Sequence, residues 1–270
     1  MNILIIGNGF DIVHGKKILF KEFVNSNKFQ NGIKSHKFFF INDEYIKFCK
    51  TSKLWSRFED YCLYICKNNK INDFSFVKKI SNLFTKYWLE EKQYIFKKNP
   101  KKRNNIIQFL KQKKIDCILS FNYTPTPEIY GFEPFHFHSN TLRSDINNIN
   151  KWKNKYLKIH DYVSKKTQTI LGHDLNEKTK KEKIIMSWDS KIKFNPKKSI
   201  FNRILKIEKV NLYSIGFSFG SSDQDVIDFV NKLSKNEKAK IEIYSLTSKE
   251  ASEIKCKIKG AKVISKDYSK

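Results

Sequence analysis

An apolar run, Ile3-Leu4-Ile5-Ile6, that ends at Gly7-Asn8-Gly9 constrains this chain more than any other stretch. Four aliphatic residues in a row are too few for a helix of their own and read as a strand buried on both faces. Glycine adopts backbone angles that other residues avoid, so the chain can turn sharply there. Helical spacing follows soon after. A buried strand, a glycine turn and a helix start make a cradle suited to nucleotides, because N–H groups and the helix dipole favour an anion at that point. Gly-x-Gly lacks the third glycine of the dinucleotide fingerprint, so a tight turn into a packing helix is the competing reading. Asp11 either caps that helix or contacts a ligand, and His14 either packs in it or touches the ligand.

Farther along, apolar spacing predicts helices over Leu54–Ile65 and Phe76–Phe96, with a charged break at Lys97–Arg103 and a short helix over Ile106–Leu110. Residues 30–105 therefore read as a helical insertion in a single domain spanning 1–270. Strands are expected at Ile115–Phe121, Tyr156–His160, Thr169–Leu171, Val210–Ile215, Ile241–Tyr244 and Lys262–Ile264. Thr124 is placed to cap a helix beginning at Pro125, a residue suited to a first helical turn. The helix after Asp223 puts Val226, Ile227, Phe229, Val230 and Leu233 on one face, with Asp225 and Asp228 on the solvated one. Strands alternating with helices predict an α/β fold, a mostly parallel sheet with helices on both faces.

In such sheets a ligand binds beyond the carboxyl ends of the strands. Four expected strand ends carry small or polar groups: Gly7-Asn8-Gly9 with Asp11, Asn122-Tyr123-Thr124, His160, and Gly216-Phe217-Ser218. If these strands are neighbours, the four groups meet in one crevice.

The formal charge of +26 suggests an acidic partner, nucleic acid or a phosphorylated ligand. Almost all of it is lysine, however; the arginines are Arg57, Arg103, Arg143 and Arg203. Arginine makes the forked contacts to phosphate and base, and lysine, asparagine and isoleucine rising together is what an AT-rich genome produces. Drift in composition is therefore preferred over a nucleic-acid surface. Five cysteines without a CxxC pair fit a reducing cytoplasm. Cys62 and Cys66 read as small buried residues, and no metal site is expected; His136-x-His138 is the best metal candidate. No signal peptide is evident, and no run nears the roughly 20 apolar residues of a membrane span.

Several of these segments together resemble the bacteriophage abortive infection AbiH family. Ile6-Gly7-Asn8-Gly9-Phe10-Asp11 with His14-Gly15 is similar to its opening motif, and Ser120-Phe121-Asn122-Tyr123-Thr124-Pro125-Thr126-Pro127-Glu128 to its Phe-Asn-Tyr-Thr-x-Thr-x-Glu motif. Trp55-Ser56-Arg57-Phe58-Glu59, Ile170-Leu171-Gly172-His173-Asp174 and Gly216–Asp223 resemble further family segments. There are departures: Lys16-Lys17-Ile18 stands where the family has Leu-Pro-Thr, and Gly216-Phe217-Ser218 where it has Gly-His-Ser. The family's Ile-His-Gly is matched to Ile159-His160-Asp161, with His138 as the rival histidine.

AbiH proteins in turn resemble the sirtuin-like Rossmann domains of other phage-defence systems, where an Asn and a His serve in NAD cleavage. The resemblance implies Asn122 and His160 as the catalytic pair. It implies nucleotide contacts from Gly7, Asn8, Gly9, Phe10, Asp11, His14, Tyr123, Thr124, Gly172, Gly216, Ser218 and Asp223. Anti-phage defence in the cytoplasm, NAD as substrate and a phage-derived trigger as partner follow as expectations. A non-catalytic nucleotide- or phage-sensing module and a nucleic-acid-binding nuclease are the alternatives.

Overall fold

The computed structural model describes residues 1–13, 22–23, 25–27, 29, 31, 87, 100–122, 126–135, 148–159, 197–220 and 223–266. Among the described residues seven parallel strands form one sheet: β1 (Asn2–Ile6), β2 (Cys117–Ser120), β3 (Glu133–Phe135), β4 (Lys155–Lys158), β5 (Val210–Ile215), β6 (Ala239–Ser245) and β7 (Lys262–Ser265). Their spatial order is β3-β4-β2-β1-β5-β6-β7. From β1 the chain adds β2, then β3 at the far side with β4 filling the place between them, and then returns to add β5, β6 and β7 on the other side of β1. The reversal falls between β1 and β5, which places the crevice of a doubly wound sheet beyond the carboxyl ends of those two strands. This is the α/β, Rossmann-like architecture expected from the alternation of strands and helices.

Strand β1 is central and buried on both faces, which is why it reads as an unbroken apolar run. Ile3 and Ile5 join a core layer with Leu119, Leu212, Ile243 and the apolar faces of α3 (Lys197–Ile204), α4 (Gln224–Leu233) and α5 (Ser248–Lys257). Leu4 and Ile6 face the opposite layer, with Ile118, Ile215, Phe10 of α1 (Asn8–Val13) and Ile106 and Leu110 of α2 (Pro100–Gln112). Fully burying one such aliphatic side chain contributes about 1.5–3 kcal/mol, so this strand is the part of the sheet least tolerant of a polar replacement.

Two expectations change in detail, and one strand is added. The Lys97–Arg103 run is not a break throughout, since α2 begins at Pro100 and includes Lys101, Lys102 and Arg103. Proline suits a first helical position because its missing N–H has no helical partner there, and solvated charges do not interrupt a helix. Instead of a helix from Pro125, a 3-10 turn spans Thr126–Tyr130. It stops at Gly131, whose φ of +82° reverses the chain into β3. That strand escapes a periodicity search because it is three residues long and centred on Pro134, a residue tolerated at the sheet's edge. Apart from Asn31, Tyr87 and 100–105, the expected insertion lies outside the described residues, as do the expected strand Thr169–Leu171 and Cys62 and Cys66.

Helix α2 is clamped to the sheet by charge as well as by packing. Glu242 Oε2 accepts hydrogen bonds from Lys113 Nζ and from the Tyr244 hydroxyl, each at 2.7 Å. The same ammonium lies 5.0 Å from the Tyr213 ring centre, and Phe109 meets Tyr244 edge to face at 5.2 Å. Burial is the largest single influence on both Glu242 and Lys113 and opposes their charge, but their mutual hydrogen bond, the hydrogen bonds to Tyr244 and the surrounding charges together outweigh it, lowering the Glu242 pKa and raising that of Lys113. An acid with a depressed folded-state pKa stabilises the fold above its unfolded value, near 4.3, and loses that contribution as pH falls through the folded value. Glu242→Gln is accordingly expected to cost about 1 kcal/mol at pH 7. The gap from wild type should close between about pH 5 and pH 3, as read by urea unfolding across that range.

Candidate functional site

Strand register fixes where the loops leave the sheet. Ile6 pairs with Ser120 and with Ile215, and Ser120 pairs with Lys158. The segments following Ile6, Ser120 and Ile215 thus depart from one edge at one level. Phe121 N donates to Ile6 O at 2.9 Å and Ile159 N to Ser120 O at 2.8 Å, which extends the pairing one residue past each strand end.

The loops after β1 and β5 are in backbone contact. Gly7 N donates to Ile215 O at 3.3 Å, Gly9 N to Gly216 O at 2.9 Å, and Phe10 N to Gly7 O at 2.9 Å. A Cβ at Gly9 would lie 2.7 Å from Gly216 Cα, and one at Gly216 would lie 2.2 Å from Phe10 N. Gly216 also has a φ of +63°. These glycines are required for close approach and, at Gly216, for a left-handed backbone. Helix α1 opens at Asn8, inside the glycine motif rather than after it.

Beneath this edge lies an aromatic floor. Phe217 packs on Phe121 at 4.6 Å and on Phe219 at 4.8 Å, all three buried. Ser218, between the two buried phenylalanines of its own strand end, is exposed. Phe219 has a φ of +49°, and its carbonyl accepts from Lys257 Nζ at 2.8 Å. Asp223 is buried and closes the loop: its Oδ2 accepts from Gly220 N at 2.8 Å, and its own N–H donates to Gly220 O at 3.1 Å. Asp225, expected on the solvated face of α4, is buried instead, with Oδ1 accepting from Val226 N at 2.9 Å. At the first turn of α4 the carboxylate folds back onto the backbone. Asp228 is exposed and accepts from Gln224.

Asn122 is the unusual residue of the edge. It is 2% exposed, yet neither its Oδ1 nor its Nδ2 has a hydrogen-bond partner. Asn8 Oδ1 is buried without a partner as well. Leaving a buried polar group unpaired costs about 1–3 kcal/mol, and nearly all such groups in folded proteins are paired. Two carboxamides in this state at adjacent strand ends form an arrangement to which a polar ligand or ordered water is complementary.

The second sequence motif also carries structural duties that the motif reading did not assign. The Thr126 hydroxyl donates to Asp11 Oδ1, with both residues fully buried, so α1 is tied to the segment after β2. Asp11 is the fourth residue of α1 and not its cap. Glu128 Oε1 accepts from the Tyr156 hydroxyl at 2.6 Å, joining the same segment to β4. Burial, then the Glu128 contact, pushes the Tyr156 hydroxyl well above its ordinary range; burial does the same at Tyr130. Both phenols are neutral rather than bases, and that of Tyr156 is a donor. Phe10 is wholly buried, packed edge to face on Tyr130 at 5.8 Å. The presence of Thr126 and Glu128 in the same motif as Asn122 is the signal that could have flagged them.

Of the residues expected to form a site, Gly7, Asn8, Gly9, Asn122, Gly216 and Ser218 share this edge. Phe10, Asp11 and Asp223 support it from within. His14, Tyr123, Thr124, His160 and Gly172 lie outside the described residues, as do His136 and His138. Among the described residues no three His, Cys, Asp or Glu side chains gather as metal ligands, and no helix is long and apolar enough to cross a membrane.

A family model described as bacteriophage abortive infection AbiH matches residues 3–245, a span running from β1 to the end of β6. No curated protein matches the chain significantly.

Proposed function

The chain belongs to the bacteriophage abortive infection AbiH family, and on that premise we propose that it defends bacteria in the cytoplasm by binding a nucleotide at the Asn122 edge and cleaving NAD there. The observation that carries the binding half is the buried, unpartnered amide of Asn122 beside the reversal point of the sheet. The cleavage half rests on the resemblance that pairs Asn122 with His160. Cleavage breaks the bond between ribose C1′ and the nicotinamide nitrogen. The bonding electrons leave with nicotinamide, which departs neutral, and water adds to C1′ as its proton passes to a base. In this reading Asn122 fixes the ribose or the attacking water, and His160 takes the proton, a role for which an imidazole side chain is suited.

The test is cellular NAD during phage infection, in cells carrying wild type, Asn122→Ala, His160→Ala and His138→Ala. Wild type and the His138 variant should deplete NAD and protect the culture, and the other two should do neither. Protection with NAD unchanged would leave a non-catalytic sensor as the better account. If His138 is needed and His160 is not, the proton acceptor has to be reassigned to the His136-Phe137-His138 segment.

A further inference from the structure

A glycine loop at a strand end ordinarily serves phosphate by aiming free N–H groups at it. Here three of the four N–H groups from Gly7 to Phe10, those of Gly7, Gly9 and Phe10, are engaged with Ile215 O, Gly216 O and Gly7 O. The buried side-chain groups left vacant beside them have a different character. They are the buried Oδ1 of Asn8, the buried Oδ1 of Asn122 and the buried Nδ2 of Asn122. An amide oxygen accepts and can be satisfied only by a donor, whereas the phosphates of a dinucleotide carry no proton at neutral pH. The register brings their segments together: Ile6 pairs with Ser120, and Asn8, the first residue of α1, and Asn122, in the loop after β2, each lie two positions beyond that pair. Neighbouring strands are about 4.8 Å apart where they pair, so the two segments leave the sheet one strand spacing apart.

We infer that Asn8 and Asn122 together hold one neutral group presenting two hydrogen-bond donors and an acceptor, a ribose vicinal diol or a primary carboxamide, and that the phosphates of the ligand lie away from this pair. Asn8 is then a specificity-determining residue of the site. The inference rests on the nucleotide-binding reading above and narrows what that site grips.

The test is calorimetric titration of NAD and of ADP-ribose into purified wild type, Asn8→Ala and Asn8→Asp, with folding checked by thermal melting. Asn8→Ala removes the acceptor and should weaken NAD binding about tenfold, near the 1.4 kcal/mol that separates such affinities. Asn8→Asp keeps an acceptor oxygen and adds charge, so it should bind NAD within about threefold of wild type. A phosphate at this position would be repelled by the aspartate, and a loss in Asn8→Asp as large as that in Asn8→Ala, or larger, overturns the inference. Asn8→Ser, which keeps a neutral acceptor, stands in if the aspartate variant does not fold; it should retain more affinity than alanine, and equal loss overturns the inference. An equal penalty of Asn8→Ala on ADP-ribose assigns the group to a diol, and a penalty on NAD alone assigns it to the carboxamide. Wild type that binds neither compound removes this inference and the nucleotide-binding reading together, whereas wild type that binds NAD with Asn8→Asp inactive removes this one alone.

Discussion

Asn122→Leu is expected to raise the melting temperature of the unliganded protein while abolishing phage protection. Most core substitutions destabilise, so the sign is diagnostic. The wild-type amide is 2% exposed with both polar atoms unpartnered, and each buried unpaired group costs about 1–3 kcal/mol. Leucine has a similar branched shape without the polar atoms. Relief of about 1–3 kcal/mol should raise the melting temperature by several degrees, given about 2–4 °C per kcal/mol for a domain of this size. A residue retained at such a cost to folding is one whose polar atoms act on something other than the fold. A lower melting temperature in Asn122→Leu would mean that the amide is satisfied in solution and contributes to stability instead.

Gly216→Ala should be the most damaging added methyl among Gly7, Gly9, Gly131, Gly216 and Gly260. Its Cβ would fall 2.2 Å from Phe10 N and 2.5 Å from Gly9 C, both backbone atoms that cannot swing aside. Its φ of +63° adds the left-handed penalty of roughly 1–2 kcal/mol. The loop after β5 would have to move away from the loop after β1, breaking the Gly9-to-Gly216 hydrogen bond and the packing of Phe217. We expect a loss of about 4 kcal/mol or more in urea unfolding, at the top of the range for point mutations. Gly131→Ala is the matched control. That residue has a φ of +82°, but a Cβ there meets nothing within 4 Å, so only the backbone penalty of about 1–2 kcal/mol applies. Equal effects at the two sites would show that the approach of the loops is not what Gly216 provides.

The central sheet was legible because β1 and β2 are buried on both sides and β5 alternates buried with partly buried residues, and uninterrupted or alternating aliphatic runs have few other solutions. The site edge was legible for a related reason. Parallel strands all end at the same side, so polar residues just past Ile6, Ser120 and Ile215 have to cluster once the strands are neighbours. What sequence could not reveal is which backbone groups would be consumed internally. Gly7-Asn8-Gly9 looked like a phosphate cradle, but the same glycines also permit two loops to touch, and that contact depends on Gly216, more than 200 positions away. Asp11 illustrates the same limit. A carboxylate one turn into a helix suggests a cap or a ligand, and only the fold brings Thr126 to it. Asp225 looked solvated because helical spacing sorts side chains into faces and takes no account of a carboxylate bonding the adjacent backbone N–H. Edge strand β3 was hidden by its length and by Pro134.

The central claim is that the carboxamide edge beyond β1 and β2 is a nucleotide site, and the most direct measurement is titration of NAD into purified wild type and Asn122→Leu side by side. The account predicts saturable binding to wild type at one site and loss of at least tenfold in affinity for the leucine variant, which should be folded and more stable. Equal affinity in the two proteins would contradict it.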